Sequence, residues 1–198
     1  MSYLIGIAGP SASGKSTLCE ELVKLIPDSL LISQDDYWKN PELFPKVKGL
    51  KNWELPENID FDRLYQNLLD LKEGKATVAP KWVRGHYPPG TQTFSSKKYI
   101  FVEGFRLFHD SRIKDIIDYK IYVDITAEEI IKRRLQRLRH GQLEREWYYR
   151  EIVVEEDSKY GVPMKKYADL IVDGTRPIIN SVQKIEEIIL QLTSSVSS

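Results

Sequence analysis

The segment Gly9-Pro10-Ser11-Ala12-Ser13-Gly14-Lys15-Ser16 fits the pattern G-x-x-x-x-G-K-[ST], and it constrains the fold on both sides of itself. Such a turn works between a buried strand and a helix. Tyr3-Leu4-Ile5-Gly6-Ile7-Ala8 ahead of it reads as a buried strand, and Ser16 to Leu25 behind it reads as a helix. Glycines let the backbone turn sharply, so successive N–H groups converge on one concavity, and the helix N-terminus adds its positive dipole end. The pattern predicts a cradle for nucleotide phosphates built from Gly9, Ser11, Ala12, Ser13, Gly14, Lys15, Ser16 and Thr17. Lys15 supplies a point charge to the terminal phosphates, and the Ser16 hydroxyl is placed to ligate Mg²⁺.

Further strands are predicted at Ser29–Ser33, Tyr99–Val102, Lys120–Val123 and Leu170–Val172, separated by helical patterns over 60–71, after Thr126 and over 177–192. Short apolar runs alternating with helices predict an α/β fold, a three-layer sandwich with a mainly parallel sheet and helices on both faces. At 198 residues the chain reads as one domain, residues 1–198, with a small helical lid at about 133–160. Ligands of such sheets bind beyond the carboxyl ends of the strands. Trp38 to Glu57 and Val83 to Ser96 have no clear period and read as functional loops, and the small polar tail 193–198 is expected to fray.

Acidic and basic residues balance, which removes a global electrostatic case for nucleic acid or an anionic membrane. Cys19 is the single cysteine, so no internal disulfide forms, and its helical position predicts a small buried residue. The N-terminal apolar run is too short for a signal peptide or a membrane span, and a cytoplasmic enzyme is the expectation.

Acids stand at two predicted strand ends. Asp35, after the second strand, is placed to orient an attacking hydroxyl and accept its proton, whereas Asp36 reads as structural. Glu103 ends the third apolar strand and can hold the Mg²⁺ shell, which makes Ser16, Asp35 and Glu103 the candidate metal group. The helix after Thr126 is rich in arginine. Arg133 and Arg137 share a face, one turn apart, and are candidates for neutralising a transferring phosphoryl group, with Arg134 on a neighbouring face; a solvated basic face paired with Glu128 and Glu129 is the alternative. His109 and His140 have no metal-ligand constellation around them.

Four stretches together resemble the uridine kinase and nicotinamide riboside kinase group of P-loop nucleoside kinases. They are Gly6–Thr17, Ile32-Ser33-Gln34-Asp35-Asp36-Tyr37, Val102-Glu103-Gly104-Phe105 and Lys166-Tyr167-Ala168-Asp169. The resemblance implies ATP and Mg²⁺ as cofactors and transfer of the γ-phosphate to the 5′-hydroxyl of a small nucleoside, with pyrimidine nucleosides ahead of nicotinamide riboside. It implies a catalytic carboxylate at Asp35, phosphate-contacting lid arginines at Arg133 and Arg137, and a sugar-holding acid at Glu54, where family members usually have Asp. Tyr37, Arg84 and His86 complete the expected acceptor-binding set with Asp35 and Glu54. His86 can hydrogen-bond a base edge, and Trp82 or Tyr87 can stack on one. Kinases of other small alcohols such as pantothenate, and a nucleotide-dependent switch protein, remain rival readings.

Overall fold

The computed structural model describes residues 2–137 and 146–194. Among these residues nine strands form: β1 (Tyr3–Ala8), β2 (Ser29–Ser33), β3 (Lys46–Val47), β4 (Leu50–Lys51), β5 (Thr77–Lys81), β6 (Gly90–Phe94), β7 (Tyr99–Gly104), β8 (Tyr119–Asp124) and β9 (Leu170–Asp173). Five of them make one parallel sheet in the order β2-β7-β1-β8-β9, so the strand feeding the phosphate turn is central. Glu103 of β7 lies opposite Ile7 on one side and Ser33 on the other.

Alternate residues of each strand face opposite ways, and the chain uses both faces. Leu4, Ile100 and Val102 pack on one face against α2 (Phe61–Lys72) through Leu64, Leu68 and Leu71, and against α3 (Ser111–Ile116) through Ile113. Ile5, Ile7 and Phe101 face the other way, onto α1 (Lys15–Leu25) through Leu18 and Leu22 and onto α7 (Ile178–Ser194) through Val182, Ile185 and Ile189. Burying each such side chain is worth roughly 1.5–3 kcal/mol, which makes this three-layer core the main stabilising element. Cys19 lies in the second layer, fully buried, and burial pushes its thiol pKa well up. The Thr126 hydroxyl accepts from the Glu129 amide at 3.3 Å and opens α4 (Ala127–Gln136). No helix of the described residues is long and apolar enough to cross a membrane.

Of the expected lid, residues 138–145, with His140, lie outside the described residues. Residues 146–161 form a continuous helical stretch of two short α-turns, α5 (Glu146–Tyr148) and α6 (Val154–Glu156), each succeeded by a π-turn, Tyr149–Val153 and Asp157–Gly161. It packs Tyr148, Tyr149, Ile152 and Val153 on Ile130 and Ile131 of α4. α7 continues through Thr193 and Ser194, and the rest of the expected frayed tail, residues 195–198, lies outside the described residues. Of the two unassigned stretches, Trp38 to Glu57 holds a hairpin and Val83 to Ser96 holds one strand of another. β3 pairs with β4, and β6 pairs antiparallel with β5; the polar composition of Gly90-Thr91-Gln92-Thr93 hid the latter strand.

Arg106, just past β7, is 1 % exposed and ties three segments together. Its Nε donates to the Glu54 carbonyl at 3.1 Å, and its Nη1 donates to the Phe105 carbonyl at 3.1 Å and to Asp157 Oδ1 at 3.3 Å. Gly161 makes room, since a Cβ there would collide with the Asp157 carboxylate. Removing one partner of a buried ion pair leaves an uncompensated charge. Asp157→Ala is therefore expected to cost about 3 kcal/mol of stability in urea unfolding; an unchanged midpoint and slope would show that the backbone carbonyls alone satisfy Arg106.

Candidate active site

The turn between β1 and α1 is shaped by backbone that most residues avoid. Gly9 and Gly14 sit at φ 151° and 98°, Ala12 at φ 69°, and a Cβ on Gly9 would collide with the Val123 carbonyl. α1 starts at Gly14 without a side-chain cap, so no cap occupies its first amides. The Ser13 hydroxyl is buried with no partner, and a Cβ at Gly14 would meet nothing within 4 Å. A donor without a partner and open space above the turn both suit a phosphate chain. Lys15 is 7 % exposed and folds its Nζ onto the Pro10 carbonyl at 2.9 Å. Burial pushes its pKa down, while Glu103 and Asp35 pull it back up. Ser11, Ala12, Gly14, Lys15, Ser16 and Thr17 line a cavity of about 230 Å³.

Two carboxylates reach that cavity from neighbouring strand tips. The Ser33 hydroxyl organises them: it donates to Glu103 Oε1 at 2.6 Å and accepts from the Asp35 amide at 3.3 Å. Asp35 opens to the cleft yet is walled by protein on its other sides. Burial, reinforced by Glu103 and opposed by Lys15, pushes its pKa up to about 6. Oxygen donors opposite Ser16 fit a hard cation. Among the described residues no cluster of three or more His, Cys, Asp or Glu could hold a metal alone. A hydroxyl and two carboxylates are a donor set that Mg²⁺ can use, since it keeps waters and phosphate oxygens and takes few protein ligands.

The arginines correct the expectation from spacing. Arg133 points away from the cleft: its guanidinium donates to the carbonyls of Ala12 (3.2 Å), Ser13 (3.5 Å) and Gly174 (2.8 Å) and pairs with Glu129 at 2.6 Å, bracing the phosphate turn from behind. Arg134 and Arg137 line the cleft instead. They lie three residues apart, a spacing that shares a helix face as well as four does. Arg134 donates to Glu54 Oε1 at 3.0 Å and stacks its guanidinium 5.5 Å from the Tyr149 ring, while its Nε is buried without a partner.

Beyond Asp35 the cleft widens into a second cavity of about 920 Å³. Glu54, 4 % exposed, forms its floor, held by an Asn52 side chain that accepts from its amide at 3.0 Å. Trp38 and Trp53 meet edge-on at 5.3 Å, and Trp53 meets Trp82 at 6.3 Å, giving the cavity an aromatic wall. Arg84 and His86 line its outer end. Tyr37 does not reach it. That ring is 1 % exposed in the core below β2, with its hydroxyl donating to Asn67 at 3.0 Å, because the tight helical turn Gln34–Tyr37 puts residues three apart, Gln34 and Tyr37, on its inner face. Tyr37 is therefore a packing residue, contrary to the sequence expectation. His109 stacks on Phe61 at 6.0 Å in a partly buried, non-metal setting.

A central strand running into a phosphate-binding turn, with acids on the adjacent strand tips and arginines closing above, defines a P-loop phosphotransferase. The match to known proteins narrows the class. The model of the phosphoribulokinase / uridine kinase family matches residues 46–178, downstream of the phosphate turn, so the two signals are independent. A uridine kinase of Macrococcus caseolyticus is 34 % identical over 182 residues, covering 85 % of this chain and 86 % of that protein. Among solved structures, a possible uridine kinase from Bacillus stearothermophilus superposes with a TM-score of 0.62 at 20 % identity, covering 87 % of this chain and 89 % of that one. The phosphoribulokinase from Rhodobacter spheroides gives 0.62 at 16 % identity, covering 90 % and 74 %. The chain belongs to the phosphoribulokinase / uridine kinase family.

Proposed function

We propose that this protein transfers the γ-phosphoryl group of ATP, in the cytoplasm, to the 5′-hydroxyl of a ribonucleoside of the uridine or cytidine type. The observation that carries the reading is the position of Asp35, which lines both cavities and so stands between the phosphate cradle and the aromatic cleft. Supporting it are the relatives named uridine kinase and the acid at Glu54, available for a pair of sugar hydroxyls.

In this mechanism the turn amides and Lys15 hold the phosphates, and Asp35 orients the acceptor hydroxyl in line and takes its proton. Ser16, with Asp35 and Glu103 beside it, would hold Mg²⁺, which would neutralise charge on the phosphate oxygens when bound. Arg137 and Arg134 add cationic stabilisation where charge develops, and Arg133 keeps the cradle in shape. Glu54 exchanges its Arg134 partner for the ribose hydroxyls, which frees Arg134 toward the phosphates. Trp53 and Trp82 stack the base, and Arg84 and His86 contact its edge.

The test is ADP release across a panel of uridine, cytidine, nicotinamide riboside, pantothenate and a pentose phosphate. Uridine or cytidine is expected to lead the other acceptors by at least about tenfold in kcat/KM. A preference for a non-nucleoside acceptor, or ATP turnover indifferent to any acceptor, would overturn the reading.

A further inference from the structure

Residues Gln34–Tyr37 form a single turn, yet Asp35 and Asp36 point to different places. Asp35 faces the cleft. Asp36 reaches sideways to the β5–β6 hairpin: its Oδ1 accepts from the Trp82 amide at 2.8 Å, and its Oδ2 accepts from Gln92 Nε2 at 3.0 Å. Gln92 uses its second amide hydrogen on the Pro80 carbonyl at 2.8 Å, so the same contact also clamps the hairpin's two strands together.

The hairpin needs such a tie. β5 and β6 form their own two-stranded sheet, separate from the central one. Their near end is tied to α2, where Asn67 Nδ2 donates to the Thr77 hydroxyl at 2.7 Å. The far end, which carries Trp82, Arg84 and His86 into the acceptor cleft, meets the turn that follows β2 at Asp36. Two-stranded hairpins are marginal by themselves, so a side-chain contact at that end sets where the lip stands.

We infer that Asp36 is a positioning residue for acceptor recognition: it fixes the base-contacting lip of the β5–β6 hairpin at a set distance from the reacting carboxylate of Asp35. The inference rests on the nucleoside-kinase reading for its functional consequence, although the tie itself does not. It predicts that loosening Asp36 changes acceptor affinity while leaving the phosphate side alone, because Asp36 touches neither the phosphate turn nor the cleft.

The test substitution is Asp36→Asn. The amide keeps the size but carries one acceptor, so whichever way it turns a donor faces either the Trp82 N–H or the Gln92 NH₂ group. Loss of one hydrogen bond to a charged group corresponds to a rise of about tenfold in KM for uridine, with kcat and KM for ATP held within about twofold. Adding Gln92→Glu restores the pairing at position 36 with the roles exchanged but forfeits the donation to the Pro80 carbonyl, so KM for uridine is expected to recover only in part, to within about fivefold of the parent. Hydrogen exchange at the Trp82 amide, which donates to Asp36, is expected to speed up in Asp36→Asn and slow again in the double variant. An unchanged uridine KM, or kcat and both KM values moving together, overturns the proposal. If the parent protein phosphorylates no nucleoside, the function proposed above fails, and hydrogen exchange alone then decides whether Asp36 holds the hairpin: unchanged exchange in Asp36→Asn rejects the tie.

Discussion

Asp35→Asn is expected to lower kcat by about a thousandfold while ATP binding stays within a few-fold of the parent, the loss appropriate to a general base that also aims the nucleophile. The amide fills the same space and can still hydrogen-bond an alcohol, but it cannot take the proton. The position also carries electrostatic weight. Burial and Glu103 push the Asp35 pKa up to about 6, with Lys15 opposing, so Asn relieves a repulsion inside the cavity. The unfolding temperature is accordingly expected not to fall. Steady-state turnover with saturating uridine, together with nucleotide titration, separates the two effects. A kcat within tenfold of the parent would remove Asp35 from the proton-transfer step.

Lys15→Met is expected to reduce kcat/KM for ATP by a factor on the order of 10²–10³, the scale for deleting a preorganised charge from a transition-state clamp. The methionine chain fills the buried channel that the lysine stem occupies, so packing is preserved. Burial lowers the Lys15 pKa, and Glu103 and Asp35 oppose that shift. Removing the ammonium leaves those carboxylates repelling each other with no cation between them. Weaker ATP affinity and slower turnover are therefore expected together, unlike the Asp35 variant. Parent-like kcat/KM would mean that the turn between β1 and α1 does not hold the transferring phosphate.

Much of this architecture is legible in the chain because it is written in short-range patterns. The apolar runs at Leu4–Ile7 and Ile100–Val102 are long enough to be buried on both faces, and the phosphate turn has one workable setting. The arginine assignment is harder because Arg133, Arg134 and Arg137 satisfy helical spacing in two ways. The choice between 133 and 134 depends on the carbonyls of Ala12 and Gly174, which come from elsewhere in the chain. Tyr37 defeats a local reading because a residue two positions past a functional acid can face the core once the backbone turns helical. Arg106 and Asp157 give no signal at all, since a buried ion pair across 51 residues has no local pattern to betray it. The β6 strand escapes because an exposed two-stranded sheet buries little and needs no apolar alternation.

The strand order separates the two halves of the chemistry in space. On the proposed function the acceptor side is built from the β2 flank, by Asp35, Glu54 and the lip at Trp82, whereas Arg133 and Gly174 brace the cradle from the β8–β9 flank. Mutations that remodel the lip around a new alcohol can therefore accumulate on one edge of the sheet without disturbing the central turn that grips the triphosphate. A scaffold divided in this way can diversify its acceptors over evolutionary time while inheriting the donor machinery intact.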